Sequence, residues 1–198
     1  MDRKFEIRPI NQSDFSHYID DLARLRMQVF REWPYLYDGD EAYERTYLRS
    51  YLNNDRAFMV GSFSATEIVG ASTAMPLADH DAAFAKPLQD AGYDISRIFY
   101  FAESVLLPQY RGGGAGRAFF TLREKEALRQ GFDKAVFSAV IRDSDASEKP
   151  ASYVPLDNFW QRIGFKKIKD VKTRFAWKDI DEDHETEKPM AFWVKNLA

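Results

Sequence analysis

The sequence predicts a mixed α/β fold, one sheet with helices packed on both faces. Three observations carry that reading. Apolar runs of strand length alternate with amphipathic helical segments along the whole chain. One run, residues 135–141, shows no alternation of polarity, as expected of a strand covered on both faces. Another, residues 99–107, leads through a glycine cluster directly into a helix.

The elements follow in order. Residues 5–10 alternate like a first strand, and Asn11 to Ser13 offer caps for a helix carrying Leu22, Leu25, Val29 and Phe30 on one side. Residues 35–40 form a loop whose last member, Asp40, can cap a second helix over about 41–53. Residues 57–63 and 68–75 read as two strands joined by a short turn. A mixed stretch, 78–98, inserts before the central strand 99–107. The helix after the glycines presents Ala115, Ala118, Phe119 and Leu122 as a stripe for the sheet, and Gly131 stops it. A polar loop over 143–157 precedes a short helix at Phe159 and Trp160, and residues 173–177 and 190–194 read as a closing hairpin pair.

Composition bounds the function. At 198 residues the chain can bury a core as one domain, 1–198. A content of 45% hydrophobic and 15% aromatic residues argues for a globule over a disordered chain. A formal charge of −3 disfavours general nucleic-acid binding. Zero cysteines exclude a disulfide framework, a thiolate metal site and a cysteine nucleophile. The N-terminus lacks an apolar leader, and no apolar run approaches membrane-spanning length. A cytoplasmic protein with no nucleic-acid, membrane or metal partner is therefore expected.

The glycine cluster is the most informative feature. Glycine permits positive φ and a close backbone approach, and the free N–H groups of a helix's first turn attract phosphate. A P-loop would need a Lys-Ser or Lys-Thr after the glycines, and a dinucleotide fingerprint would need glycine where Arg117 stands. What stands here is Arg111-x-x-Gly114-x-Gly116, which resembles the R/Q-x-x-G-x-G/A signature of the GNAT acyltransferase superfamily. Asn158-Phe-Trp-Gln-Arg-Ile-Gly-Phe165 is similar to that family's F-Y-x-x-x-G-F segment.

The resemblance implies a GNAT-like mixed, mostly antiparallel sheet flanked by helices and splayed at the acyl-CoA site. It implies an N-acetyltransferase moving acetyl from acetyl-CoA to a primary amine, more readily a small molecule than a protein. Arg111, Gly112, Gly114, Ala115, Gly116 and Arg117 would then cradle the pyrophosphate, Leu106 would meet the pantetheine through its backbone, and Asn158, Phe159 and Trp160 would border the cofactor. Arg111 and Arg117 can alternatively be ordinary surface arginines.

Glu103 interrupts the apolar central strand, where a carboxylate is costly to bury unless paired, hydrated or used. It is a general base on one reading and a structural acid satisfied by Arg or Tyr neighbours on the other; a one-residue register shift would decide which face it meets. Trp160 departs from the tyrosine many relatives use as acid, since an indole offers only an N–H. Tyr153 or water could replace it, or the thiolate could leave unassisted. Tyr35, Tyr37 and Asp38 could meet a cationic acceptor through cation–π and ion-pair contacts, or simply build a turn with buried aromatics. His184 reads as an exposed loop residue; His80 could be a metal ligand or a base, but with no partner at ligand spacing it reads first as an exposed loop residue. The alternative function is a non-catalytic acyl-CoA-binding module, which Trp160 favours. A homodimer through edge pairing of residues 190–194 is a further expectation.

Overall fold

The computed structural model describes residues 5–197; residues 1–4 and 198, which hold part of the stretch read as lacking an apolar leader, lie outside the described residues. Strand β1 (Glu6–Ile10) leads through a 3-10 turn into α1 (Phe15–Phe30), followed by α2 (Glu41–Leu52). Strands β2 (Phe58–Ser64) and β3 (Glu67–Pro76) come next, then α3 (Ala82–Asp90) and β4 (Ile98–Leu106). Helix α4 (Ala115–Arg129), β5 (Lys134–Val140), α5 (Asp157–Arg162), β6 (Lys166–Trp177) and β7 (Thr186–Asn196) complete the order.

The strands form one mixed sheet in the order β1-β2-β3-β4-β5-β7-β6. The β4–β5 pair is parallel and the other pairings are antiparallel. One face is covered by α1 and α2 over β1–β3 and by α3 further along, with Leu22, Leu48, Met59, Val69 and Leu88 fully buried beneath them. The other face is covered by α4 and α5, where Phe99, Phe101, Phe120 and Phe165 pack together.

Local signals act where they were read, with four corrections. Asp40 caps α2, its Oδ1 accepting from the Tyr43 amide at 2.8 Å, but the residues at the N-caps before α1, Asn11 and Asp14, make no side-chain cap bond. The stretch 78–98 contains α3, with Pro87 inside the helix. Strand β6 begins at Lys166, and its irregular register between Lys167 and Lys172 hides the first half from an alternation count. Strand β7 lies between β5 and β6, so residues 190–194 are interior and offer no free edge for pairing between chains. Tertiary pairing, which local pattern does not encode, decides that position.

Candidate active site

Strands β4 and β5 pair only over Ile98–Tyr100 and Lys134–Val136, and then separate. Beyond Tyr100, β4 keeps β3 on one edge and opens on the other. The Leu107 amide donates to Val69 of β3 at 3.0 Å, so by alternation the N–H and C=O of Leu106 face the open edge. There the Leu106 carbonyl accepts from Arg111 Nε at 3.1 Å. Arg111 also pairs with Glu32 at 2.9 Å, which folds its guanidinium back against the strand end.

The glycine loop lies at the end of this opening. Gly112 and Gly114 have φ of 86° and 87°, and a Cβ added at either meets nothing of the protein within 4 Å. A Cβ at Gly113 would stand 2.9 Å from the far edge of the Phe5 ring, which would have to shift. Gly114 is the N-cap of α4 and contributes no side-chain cap bond, so the amides of Ala115, Gly116 and Arg117 have no protein acceptor among the described residues.

A β-bulge sets the orientation of Glu103. Ala74 lies opposite Phe101 and Ser72 opposite Ser104, so Ala102 and Glu103 together face the single residue Thr73. In a regular strand Glu103 would share the face of Phe101, towards α4. The extra residue turns it to the opposite face, beside Ala102. Arg123 of α4, 1% exposed, fills the space under the bulge. Its Nη1 donates to the carbonyls of Thr73 and Glu103 at 3.2 Å each, and its Nη2 donates to Ser104 Oγ at 2.8 Å. The guanidinium also lies over the Phe101 ring at 4.4 Å.

Glu103 thereby enters a cavity of about 100 Å³, bounded by α1, α2, α3 and the strands β4–β7. Its Oε2 pairs with Arg26 Nη1 at 2.9 Å and accepts from the Tyr47 hydroxyl at 3.0 Å. Its Oε1 is buried without a protein partner. Arg26 also pairs with the fully buried Glu44 of α2. Burial alone would lower the Arg26 pKa, but Glu103, Tyr47 and Glu44 together hold it well above its ordinary value.

Aromatic rings make up most of the remaining wall, among them Phe30, Tyr43, Phe84 and Trp177. Tyr35 and Tyr37 line it as well; burial pushes the Tyr35 phenol up to about 12, with the Tyr153 charge adding to the effect. Asp38 is not part of the wall: it is held outside by Arg31 at 3.1 Å and Lys178 at 2.8 Å. His80 corrects the reading of an exposed loop residue. It packs on Tyr100 with ring centroids 4.7 Å apart, its Nδ1 is buried without a partner, and burial lowers its pKa to about 4.

No protein-family model matches the sequence, and no curated protein does. Solved structures do match. A GNAT-family acetyltransferase from Streptococcus pneumoniae superposes with a TM-score of 0.58 at 14% identity, over 98% of this chain and 99% of its own. NAA60 of Arabidopsis thaliana, solved with acetyl-CoA, gives 0.62 at 14% identity over 98% of both chains. The ribosomal-protein-alanine N-acetyltransferase of Brucella melitensis gives 0.61 at 12% identity, over 96% of this chain and 99% of its own. The chain has the GNAT fold. At these identities the likeness establishes the fold, and the chemistry rests on the side chains.

Within this GNAT fold, the loop fits a diphosphate in the two ways a ligand requires. It presents first-turn amides without protein acceptors, and it leaves open the space that a side chain would fill. Arg117 is exposed on the first turn of α4, and Asn158 is exposed on α5. Phe159 packs over Gly116, where an added Cβ would lie 3.6 Å from its ring, an ordinary contact. Trp160, half-buried, packs edge-on against Phe137 at 5.0 Å and Trp193 at 5.1 Å, at the margin of the core under α5. Tyr153 lies edge-on to Trp33 at 6.2 Å, and burial, with Asp157 adding to it, raises its pKa. Arg26, Glu44, Tyr47 and Arg123 were missed by sequence reasoning, and His80 was singled out but read as exposed. Only their positions in α1, α2, the loop before α3, and α4 give them to one site, and no local motif announces that. Among the described residues no helix is long and apolar enough to cross a membrane.

Proposed function

We propose that this protein is an acetyl-CoA-dependent N-acetyltransferase whose acceptor is a small primary amine and whose general base is Glu103. The observation that carries the reading is the bulge at Ala102–Glu103. It delivers a carboxylate with one partnerless oxygen into an aromatic cavity at the point where β4 leaves β5. The glycine loop lies at the other end of the same opening. The acetyl-CoA seen in the NAA60 structure supports the donor assignment.

Each part of the chain has a task. The amides of Ala115, Gly116 and Arg117 would hold the diphosphate, and the outward N–H of Leu106 would meet the pantetheine arm. Arg111 anchors the loop to the strand end and leaves binding there to backbone groups. When bound, acetyl-CoA supplies a thioester carbonyl open to a nucleophile.

A free amine is mostly protonated at neutral pH, with a pKa of about 10.4 for a lysine-like group, and must shed a proton first. Glu103 would take that proton, directly or through water, while Arg26 and Tyr47 hold the carboxylate through Oε2. The amine nitrogen then bonds to the carbonyl carbon as the C–S bond breaks. The second nitrogen proton leaves to water or to the departing thiolate. A thiolate with a pKa of about 8.5 is a tolerable leaving group without an acid, which suits a chain whose Trp160 has none to offer. With no cysteine in the sequence, no covalent acetyl-cysteine can form.

The packing of Trp160 and the pairing of Glu103 with Arg26 favour a second reading, a module that binds acyl-CoA without turnover. Thiol release from acetyl-CoA, measured over a panel of amines, separates the two. Amine-dependent release supports the transferase. Tight coenzyme A binding with no release from any amine, peptide or polyamine overturns it in favour of the binding module.

A further inference from the structure

Resting on the transferase reading, we infer that the acceptor is a compact aryl- or alkylamine carrying one ammonium group and no carboxylate. The charge around the cavity argues for this. Arg26 is a single cation engaged by two carboxylates, Glu44 behind the wall and Glu103 within it. On the cavity side of the sheet these three side chains carry one net negative charge; the Arg123 guanidinium lies on the other side, against the Glu103 carbonyl. Burial keeps His80 neutral near pH 7, so the histidine does not cancel that charge. A substrate ammonium meets this surplus at Glu103 Oε1, which has no other protein partner.

The same bookkeeping excludes other amines. A substrate carboxylate would need a free cation in the wall. Arg26 is already shared by two acids, and among the described residues no lysine or second arginine lines the cavity. A second ammonium would need a second acid, and among the described residues Glu103 is the sole carboxylate in the wall. Asp38, which could have served, is turned outward to Arg31 and Lys178. What remains is aromatic surface from Phe30, Tyr37, Tyr43, Phe84, Tyr100 and Trp177. Such rings favour an apolar body and add cation–π attraction to its ammonium.

Matched pairs of amines test the inference on the wild-type protein. Phenethylamine and phenylalanine differ by a carboxylate; butylamine and putrescine differ by a second ammonium. Calorimetric titration of each into the coenzyme A-loaded protein, together with kcat/KM from thiol release, gives two independent readouts. The expectation is that phenethylamine exceeds phenylalanine, and butylamine exceeds putrescine, by at least about tenfold in both. Glu44→Gln, which neutralises an acid outside the wall, should weaken phenethylamine binding about tenfold and leave coenzyme A binding unchanged.

Equal or reversed ranking within the pairs would overturn the inference even with turnover intact. Selective phenethylamine binding without turnover would uphold the site and overturn the transferase reading. Absence of binding by any monoamine would overturn the inference. If Glu44→Gln does not fold, the wild-type pairs decide alone.

Discussion

Arg123 holds Glu103 by its backbone: Nη1 donates to the Glu103 carbonyl at 3.2 Å, and no carboxylate forms a salt bridge with this buried guanidinium among the described residues. Through the same nitrogen it also holds Thr73, the residue opposite the bulge. The acid in the cavity therefore depends on a cation on the other side of the sheet. Arg123→Met would leave the buried Thr73 and Glu103 carbonyls without this donor, while the exposed Ser104 can turn to water. Each orphaned buried group costs about 1–3 kcal/mol, so a loss of about 2 kcal/mol or more is expected in urea unfolding. Arg123→Lys, with a point charge in place of a planar fork, should recover only part of it. A loss below about 1 kcal/mol for the methionine variant would remove the proposed support of the bulge.

Gly114 separates a backbone cost from a ligand cost. At φ 87° an alanine pays the left-handed penalty, about 1–2 kcal/mol, but its Cβ meets no protein atom. Gly114→Ala is expected to fold with that modest penalty and to bind coenzyme A about tenfold more weakly or worse. Gly116→Ala, lacking positive φ and placing its Cβ 3.6 Å from Phe159, should cost less in stability. Unchanged coenzyme A affinity in Gly114→Ala, measured by calorimetry, would dissociate the loop from the diphosphate.

His80 has a pH signature. Its folded pKa of about 4 lies below the ordinary value of 6.5, because burial disfavours the imidazolium. Between those values the unfolded chain binds the extra proton. The contribution is therefore complete above about pH 6.5 and is lost as pH falls towards 4. Denaturation midpoints across that range should fall more steeply for the wild type than for His80→Gln. Parallel curves would contradict a buried neutral imidazole.

The sheet and the glycine loop were legible because both are written locally: strand-length apolar runs, a Gly-Gly-Gly-Ala-Gly cluster, a stop at Gly131. The position of β7 between β5 and β6 was not, since pairing across distant segments leaves no trace in either strand's pattern. Glu103 could be singled out as a carboxylate in an apolar strand, but its direction depended on a bulge defined by Thr73 on another strand. Arg26 and Arg123 were hidden for a related reason. Each sits on a helix face otherwise read as apolar packing, and its partners come from elements distant in sequence, Glu103 for Arg26 and Thr73 for Arg123. Tyr35 and Tyr37 were read towards the acceptor site and line the cavity; Asp38, beside them in sequence, does not.

Trp160→Tyr asks whether a phenol at this position would supply an acid. Its ring sits against Phe137 and Trp193 at the margin of the core, so the exchange should lose packing, about 1–3 kcal/mol, and give no gain in kcat. A rise in turnover with the tyrosine variant would show that thiolate departure limits the rate and that the position does face the leaving group.

The most direct test of the account is amine-dependent thiol release by the wild type and Glu103→Gln, each at saturating acetyl-CoA, with coenzyme A affinity measured in parallel. A neutral amide keeps the shape and the Tyr47 contact but cannot take the ammonium proton. Release by the wild type is expected, with a fall of about 100-fold or more in the variant and coenzyme A affinity unchanged. Equal turnover in the two proteins would contradict it and reduce Glu103 to a structural partner of Arg26.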